Sequence, residues 1–256
     1  MSALAKALHQ ARLRGTQIDP SEFACPATLD EAYALQTEVM ARFASAPVGW
    51  KLGATNAAAM AKLGLPGPFL GPLLAEHWFD NDAEIHVTPA LGPLLETEFV
   101  VTLGADLPAR AEQYSLEEIE AAVEYVGAAF EIVSSRVKGG LGEAGLLIMP
   151  DGAANHAVVE GVRGADWREA NLREHPLTVT IDDEEVASGS SNLLLWGSPT
   201  QALTWLVNHP LMSSRGLRSG ERIMTGTCGG MIALSPGAQA HADFGCLGTV
   251  SARIVA

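Results

Sequence analysis

Leu94-Leu95-Glu96-Thr97-Glu98-Phe99-Val100-Val101-Thr102-Leu103 reads as an interior β-strand carrying two acidic residues. β-branched, aromatic and aliphatic side chains fill it, with no Gly or Pro inside. Side chains at i and i+2 point to one face of a sheet, so Glu96 and Glu98 sit side by side. On an exposed strand such a pair is simply a solvated face. Here residues 99–103 read as buried on both sides, and a buried carboxylate without a partner is costly. A third carboxylate, Glu131, lies in another apolar stretch, Ala128-Ala129-Phe130-Glu131-Ile132-Val133. Like charges that close repel one another unless a cation lies between them. Three carboxylates and no soft ligand suit Mg²⁺ or Mn²⁺, with positions left open for water and substrate.

A second signal precedes this strand. Lys51 lies in Gly49-Trp50-Lys51-Leu52-Gly53-Ala54-Thr55, flanked by apolar residues and glycines. A surface lysine with its stem along an apolar wall is the common case. An interior lysine beside metal-binding carboxylates would instead hold a substrate carboxylate or transfer a proton.

Outward from these stretches the organisation is uneven. Thr28-Leu29-Asp30-Glu31 predicts a capping box, followed by Ala32, Leu35, Val39 and Phe43 on one helical face. Ser115-Leu116-Glu117-Glu118 predicts a second capped helix with Ile119, Val123 and Val126 inward. Ser198-Pro199, with Gln201, predicts a third. Strands are expected near 50–52, 84–88, 94–103, 131–133, 177–181, 222–227 and 249–255, with Asp182-Asp183 as a hairpin turn. This is not the regular βαβα rhythm of a doubly wound sheet. The expectation is an α+β chain. A helical N-terminal lobe, residues 1–80, belongs to the same fold unit as a mixed β body, residues 81–256.

Composition narrows the function. The 256 residues carry 16 Lys+Arg against 30 Asp+Glu, a formal charge of −14, and 48 % are hydrophobic. That excludes a disordered chain and argues against nucleic acid or an anionic membrane as partner. Cys25, Cys228 and Cys246 form neither a disulfide framework nor a zinc pattern. No secretory h-region or bilayer-length apolar run is read, so a cytoplasmic protein is expected. Two motifs are discounted for want of context. Gly140-Leu141-Gly142-Glu143-Ala144-Gly145 matches a dinucleotide fingerprint, but Pro150 leaves no room for the crossover helix. Gly226-Thr227-Cys228-Gly229-Gly230 resembles a nucleophile elbow, but glycines follow where a helix is needed.

The order of several segments carries a resemblance. They are Leu29-Asp30-Glu31-Ala32-Tyr33-Ala34-Leu35-Gln36, the Lys51 strand, Glu96-Thr97-Glu98, Phe130-Glu131-Ile132-Val133-Ser134-Ser135-Arg136 and an Asp151 loop. Ala202-Leu203-Thr204-Trp205-Leu206-Val207-Asn208, Gly220-Glu221-Arg222-Ile223-Met224-Thr225-Gly226-Thr227 and Ala242-Asp243-Phe244-Gly245-Cys246-Leu247-Gly248 complete it. Nearly end to end, the chain resembles the 2-keto-4-pentenoate hydratase and 2-oxohept-3-ene-1,7-dioate hydratase branch of the fumarylacetoacetate hydrolase superfamily. The resemblance implies a β-barrel or β-roll body and Mg²⁺ or Mn²⁺ on Glu96, Glu98 and Glu131. It implies catalysis by Lys51 with Asp151, and substrate contacts at Thr55, Thr225, Gly226 and Thr227. It implies metal-dependent hydration of a small anionic 2-hydroxy-2,4-dienoate to a 4-hydroxy-2-oxo acid, in aromatic catabolism, by a homo-oligomer. The alternatives are a 2-oxo-3-enedioate decarboxylase, a superfamily C–C hydrolase, or a non-catalytic partner of a hydratase or decarboxylase paralogue. Two departures stand out: Phe69-Leu70-Gly71 replaces an Asp-aromatic-Gly element, and Asp151-Gly152-Ala153-Ala154 replaces Asp-Asn-Ala-Ser. Both remove polar groups from the expected pocket and bear on substrate preference. Phe69 and Leu70 favour a monoacid.

Overall fold

A computed structural model describes residues 2–256. Helices α1 (Ala3–Arg14) and α2 (Leu29–Met40) start on side-chain caps, Ser2 accepting from the Ala5 N–H and Thr28 from that of Glu31. The expected box at Thr28 closes differently: the Glu31 carboxylate accepts from Ala27, at 2.7 Å, instead of from the cap residue itself. Helix α2 buries Ala32, Tyr33, Gln36 and Val39, while Phe43 lies beyond its end. Further helices are α3 (Ala57–Leu63), α4 (Leu116–Ala122), α5 (Leu141–Ala144), α6 (Pro199–Asn208) and α7 (Pro210–Ser213).

Among the described residues the strands are β1 (Pro47–Gly53), β2 (Phe69–Leu74), β3 (Trp78–Phe79), β4 (Ala83–His86), β5 (Leu94–Leu103), β6 (Val123–Val133) and β7 (Asn155–Glu160). They continue with β8 (Val162–Arg163), β9 (Pro176–Ile181), β10 (Glu184–Ser190), β11 (Arg222–Ala233), β12 (Gln239–Asp243) and β13 (Gly248–Val255). A seven-stranded mixed sheet has the order β2-β1-β11-β5-β6-β7-β3. A six-stranded sheet runs β10-β9-β12-β13-β4, with β8 on β13. The sheets curl against each other, β13 packing on β6 and β10 on β11, which makes the half-barrel of an α+β fold. The N-terminal segment is not helical throughout: β1, β2 and β3 are built into the larger sheet.

One difference from the sequence reading decides the site. Val123 and Val126 do not extend a helix. The Ser115 box starts α4, but the chain turns extended at Val123, where β6 pairs with β5 from Leu103↔Val123 to Leu94↔Val133. Burial and ladder hydrogen bonds along a β-branched run outweigh helix propagation there. The edge strand β2 is protected by α2: Leu70 donates its N–H to Tyr33 Oη, at 3.2 Å, and its carbonyl accepts from Gln36 Nε2, at 3.2 Å. These bonds occupy backbone groups that would otherwise template another strand. Asp182 and Asp183, at φ 52° and 67°, make the expected hairpin between β9 and β10, with the two left-handed residues a type I′ turn needs. No helix among the described residues is long and apolar enough to cross a membrane.

Candidate metal centre

Glu96 stands directly opposite Glu131 in the β5–β6 ladder, and Glu98 is the next residue along on the same face. One oxygen from each lies within 4.8 Å of the others. Below them the same sheet face carries a small apolar cluster of Leu73, Val100, Ala129, Val158 and Met224, apart from the main core. Two carboxylates are aimed by hydrogen bonds. Glu98 Oε2 accepts the Gly226 N–H at 2.7 Å, and Glu131 Oε1 accepts Asn155 Nδ2 at 2.9 Å.

Glu98 Oε1, in contrast, is buried without a hydrogen-bond partner. A buried acceptor left unpaired is costly and rare. Burial pushes the Glu98 carboxyl well above the usual carboxylate range, and Glu131 and Glu96 push it the same way. Burial also raises Glu96, against the pull of Lys51. A hard divalent cation relieves both strains, because it gives the orphaned oxygen a partner and neutralises the like charges. The all-oxygen donor set on two rigid strands fits such an ion.

Lys51 projects from β1 into this group. Its Nζ lies 3.1 Å from Glu131 Oε2 and 4.0 Å from Glu96 Oε2, and donates to the Ala153 carbonyl at 3.2 Å. The side chain is buried, so it is not the surface lysine that such stretches usually hold. Burial works against its charge, but Glu131, Glu96 and Glu98 outweigh burial and hold the ammonium above its ordinary range.

Asp151 has a different place from the one the resemblance implies. It is a layer behind the carboxylates, with both oxygens taken by Arg136. The Arg136 Nε donates to Oδ1 at 2.6 Å and the Arg136 N–H to Oδ2 at 2.9 Å. The same guanidinium donates to the Asp151 carbonyl and, at 3.1 Å, to the Asn155 carbonyl. Arg136 thus staples both ends of a turn in which Gly152, Ala153 and Ala154 all have left-handed φ of 66°, 56° and 60°. Two alanines in that region are strained by roughly 1–2 kcal/mol each, and such strain persists where the surroundings over-determine it. The turn aims the Ala153 carbonyl at Lys51 and Asn155 at Glu131. Both Asp151 oxygens thus accept from Arg136, and Asp151 supports this turn rather than lining the chamber beside Lys51. Asp151→Asn is expected to lower the unfolding free energy by about 3 kcal/mol, because it leaves Arg136 as an uncompensated buried charge. Urea denaturation measures this. Unchanged stability with a collapsed kcat would return Asp151 to the role of proton carrier.

The four expected substrate contacts are drawn together only in part. Gly226, at φ 105°, lies so close to Thr55 that a Cβ there would collide with the threonine hydroxyl. Glycine at this position lets the backbone N–H reach Glu98. Thr225 points to the other sheet face, where its hydroxyl donates to the Phe99 carbonyl at 3.0 Å. Thr227 is half-buried and donates to the Gly230 carbonyl at 2.7 Å. A β-bulge between Met224 and Thr227 explains why neighbours on one strand face different ways. Cys228 is buried in mid-strand, with no helix after it and burial lifting its thiol well above the ordinary range, so it is an inert core thiol.

A chamber of about 250 Å³ opens beside Lys51 and Glu96, between β1, β2, α3 and α5. The four residues just described do not line it, and neither does Asp151. Its walls include Phe69, whose ring centroid is 5.8 Å from Lys51 Nζ. Sequence reasoning had missed Asn155, the Ala153 carbonyl and the stapling role of Arg136. The one signal available was the fully polar pair Asp151 and Asn155 bracketing small residues between apolar segments.

No family model matches the chain. It is 30 % identical over 237 residues to a 2-keto-4-pentenoate hydratase of Paraburkholderia xenovorans, which covers 91 % of this chain and 87 % of the relative. The structure of a 4-oxalocrotonate decarboxylase from Pseudomonas putida G7, complexed with magnesium and adipate, superposes with a TM-score of 0.86. It is 26 % identical and covers 99 % of this chain and 96 % of that one. A fumarylpyruvate hydrolase from Pseudomonas aeruginosa shares the fold, with a TM-score of 0.61 at 17 % identity, over 80 % of this chain and 88 % of its own. A curled mixed sheet that brings three carboxylates and a lysine to one face, with this degree of identity along nine tenths of its length, places the chain in the family of 2-keto-4-pentenoate hydratases and 4-oxalocrotonate decarboxylases.

Proposed function

We propose that the protein is a divalent-metal-dependent hydratase acting on 2-hydroxy-2,4-dienoates, with Mg²⁺ or Mn²⁺ held by Glu96, Glu98 and Glu131. The observation that carries this reading is the triad of carboxylates with Glu98 Oε1 orphaned, beside the buried Lys51, with Glu96 and Lys51 lining a chamber. The ion, when bound, supplies Lewis acidity to a chelating 2-oxo acid and makes its enolate accessible near neutral pH.

The chain's own groups supply the rest. The Lys51 ammonium adds positive charge for the substrate carboxylate, so a strongly acidic protein can hold an anion. Its Nζ is also the group that moves a proton. The enol of the dienoate loses its hydroxyl proton while C5 gains one, giving a 2-oxo-3-enoate; water then adds its oxygen to C4 and a proton to C3. Ala153 and Glu131 fix the direction of the Lys51 Nζ, which keeps that proton in one place. The apolar chamber walls limit how much water reaches the enone. Exposed Leu193, Leu195 and Val186 near β10 accord with self-association of the chain into a homo-oligomer.

The test is turnover of freshly generated 2-hydroxypenta-2,4-dienoate with Mg²⁺, with Mn²⁺ and with EDTA. Metal-dependent loss of dienoate absorbance, with 4-hydroxy-2-oxopentanoate as product, is the expected result. Failure of that reaction alongside CO₂ release from a 2-oxo-3-enedioate would replace hydration by decarboxylation. Failure of both, with no metal bound, would leave a non-catalytic subunit.

A further inference from the structure

The chamber is unusual for a site that takes a small anion. Away from Lys51 and Glu96 its wall is Leu63, Phe69, Leu94, Val133, Leu141 and Ile148, with small residues between and Met231 at the rim. Among the described residues no hydroxyl, amide, imidazole or guanidinium side chain lines it. Its one further charge is Lys62, which is exposed on α3 with its ammonium in water. Phe69 is buried, and its ring lies against Gly53, where any Cβ would collide with it. The ring thereby closes the wall next to Lys51 with carbon rather than with a polar group.

Size points the same way. A chamber of about 250 Å³ is room for several waters, against walls that are mostly apolar away from Lys51 and Glu96. The carboxylate and 2-oxygen of the substrate belong at the floor, beside Glu96 and Lys51. A two-carbon vinyl end leaves most of the chamber unfilled. A second carboxylate would enter an apolar wall with no partner there, and an exposed lysine at the rim compensates little.

We propose that the chamber is a tail pocket, and that the substrate class of this enzyme is monocarboxylic 2-hydroxy-2,4-dienoates with an apolar tail longer than that of the five-carbon compound. Phe69, Leu141 and Ile148 are its specificity-determining residues. The inference rests on the 2-oxo acid reading above. Each buried methylene is worth about fourfold in affinity, so three added methylenes give a gain of tenfold or more even when burial is incomplete.

The test is calorimetric binding of unreactive 2-oxo acids to the Mg²⁺-loaded protein: 2-oxopentanoate, 2-oxooctanoate and 2-oxoheptanedioate. 2-Oxooctanoate is expected to bind at least tenfold tighter than 2-oxopentanoate, with the diacid weakest or equal to the short acid. Leu141→Trp, at the half-buried side of the chamber, should shrink the long-to-short ratio to near one. No gain with chain length, or tightest binding of the diacid, overturns the proposal; the latter would make Lys62 a carboxylate receptor. Dienoate turnover in the same preparation separates the two claims. A chain-length gain without hydration sinks the hydratase reading and keeps the pocket, whereas hydration without the gain does the reverse.

Discussion

Glu98→Gln is expected to lower metal affinity at least a hundredfold and to bring metal-stimulated turnover to background, with the fold intact. The fold survives because the amide oxygen of Gln can still accept the Gly226 N–H, the bond that now holds Glu98 Oε2. What disappears is the charged oxygen that no protein group satisfies. The change also removes a buried like charge from beside Glu96 and Glu131, so the metal-free protein should lose no stability. Ligand linkage provides a second readout. Saturating Mg²⁺ at a hundred times its Kd stabilises a binding protein by about 2.7 kcal/mol, so the wild-type melting temperature should rise with Mg²⁺ and that of the variant should stay flat. Normal turnover in the variant, or an unchanged response to Mg²⁺, would remove Glu98 from the metal centre.

Lys51→Ala separates catalysis from metal binding. General acid–base groups contribute about 10²–10⁴ in rate, and the expected loss in kcat is of that order. Metal affinity should move little or rise, because an ammonium 3.1 Å from Glu131 competes with a cation for the same carboxylate. Metal-free stability should fall by about 3 kcal/mol or more, since the buried Glu131 loses its counter-charge. Added metal should restore much of it. If affinity for Mn²⁺ collapsed while kcat at saturating metal held, Lys51 would be a support for the metal and not the group that moves the proton.

The two predictions stand on residues that were legible in different degrees. Glu96 and Glu98 could be placed on one face from the period of a strand alone. Glu131 could be singled out as a carboxylate in an apolar run, but its place opposite Glu96 depends on a register between strands separated by helix α4. The helix itself was over-read through Val126, because a capped start and a 3.6-residue spacing look the same whether or not a neighbouring strand is waiting to pair. Asp151 shows the opposite limit. Its residue type suits acid–base chemistry, and only the fold reveals that Arg136 engages both its oxygens, one through the guanidinium Nε and one through the backbone N–H.

The sequence by itself determined the α+β class, the pairing of Glu96 with Glu98 on one sheet face, the choice of Lys51 as a candidate and the resemblance that runs along the whole chain. These follow from local rules: side-chain period, burial cost and the order of segments. Tertiary structure alone decided which carboxylate oxygen is left without a partner, that Asp151 serves the turn beneath the site, that Thr225 points away from it, and that the chamber wall is carbon. Each of these depends on where a bulge, a left-handed turn or a distant strand directs a side chain. Those directions are set by contacts between residues far apart in the chain, such as Glu98 and Gly226, 128 positions apart, and no local spacing encodes them.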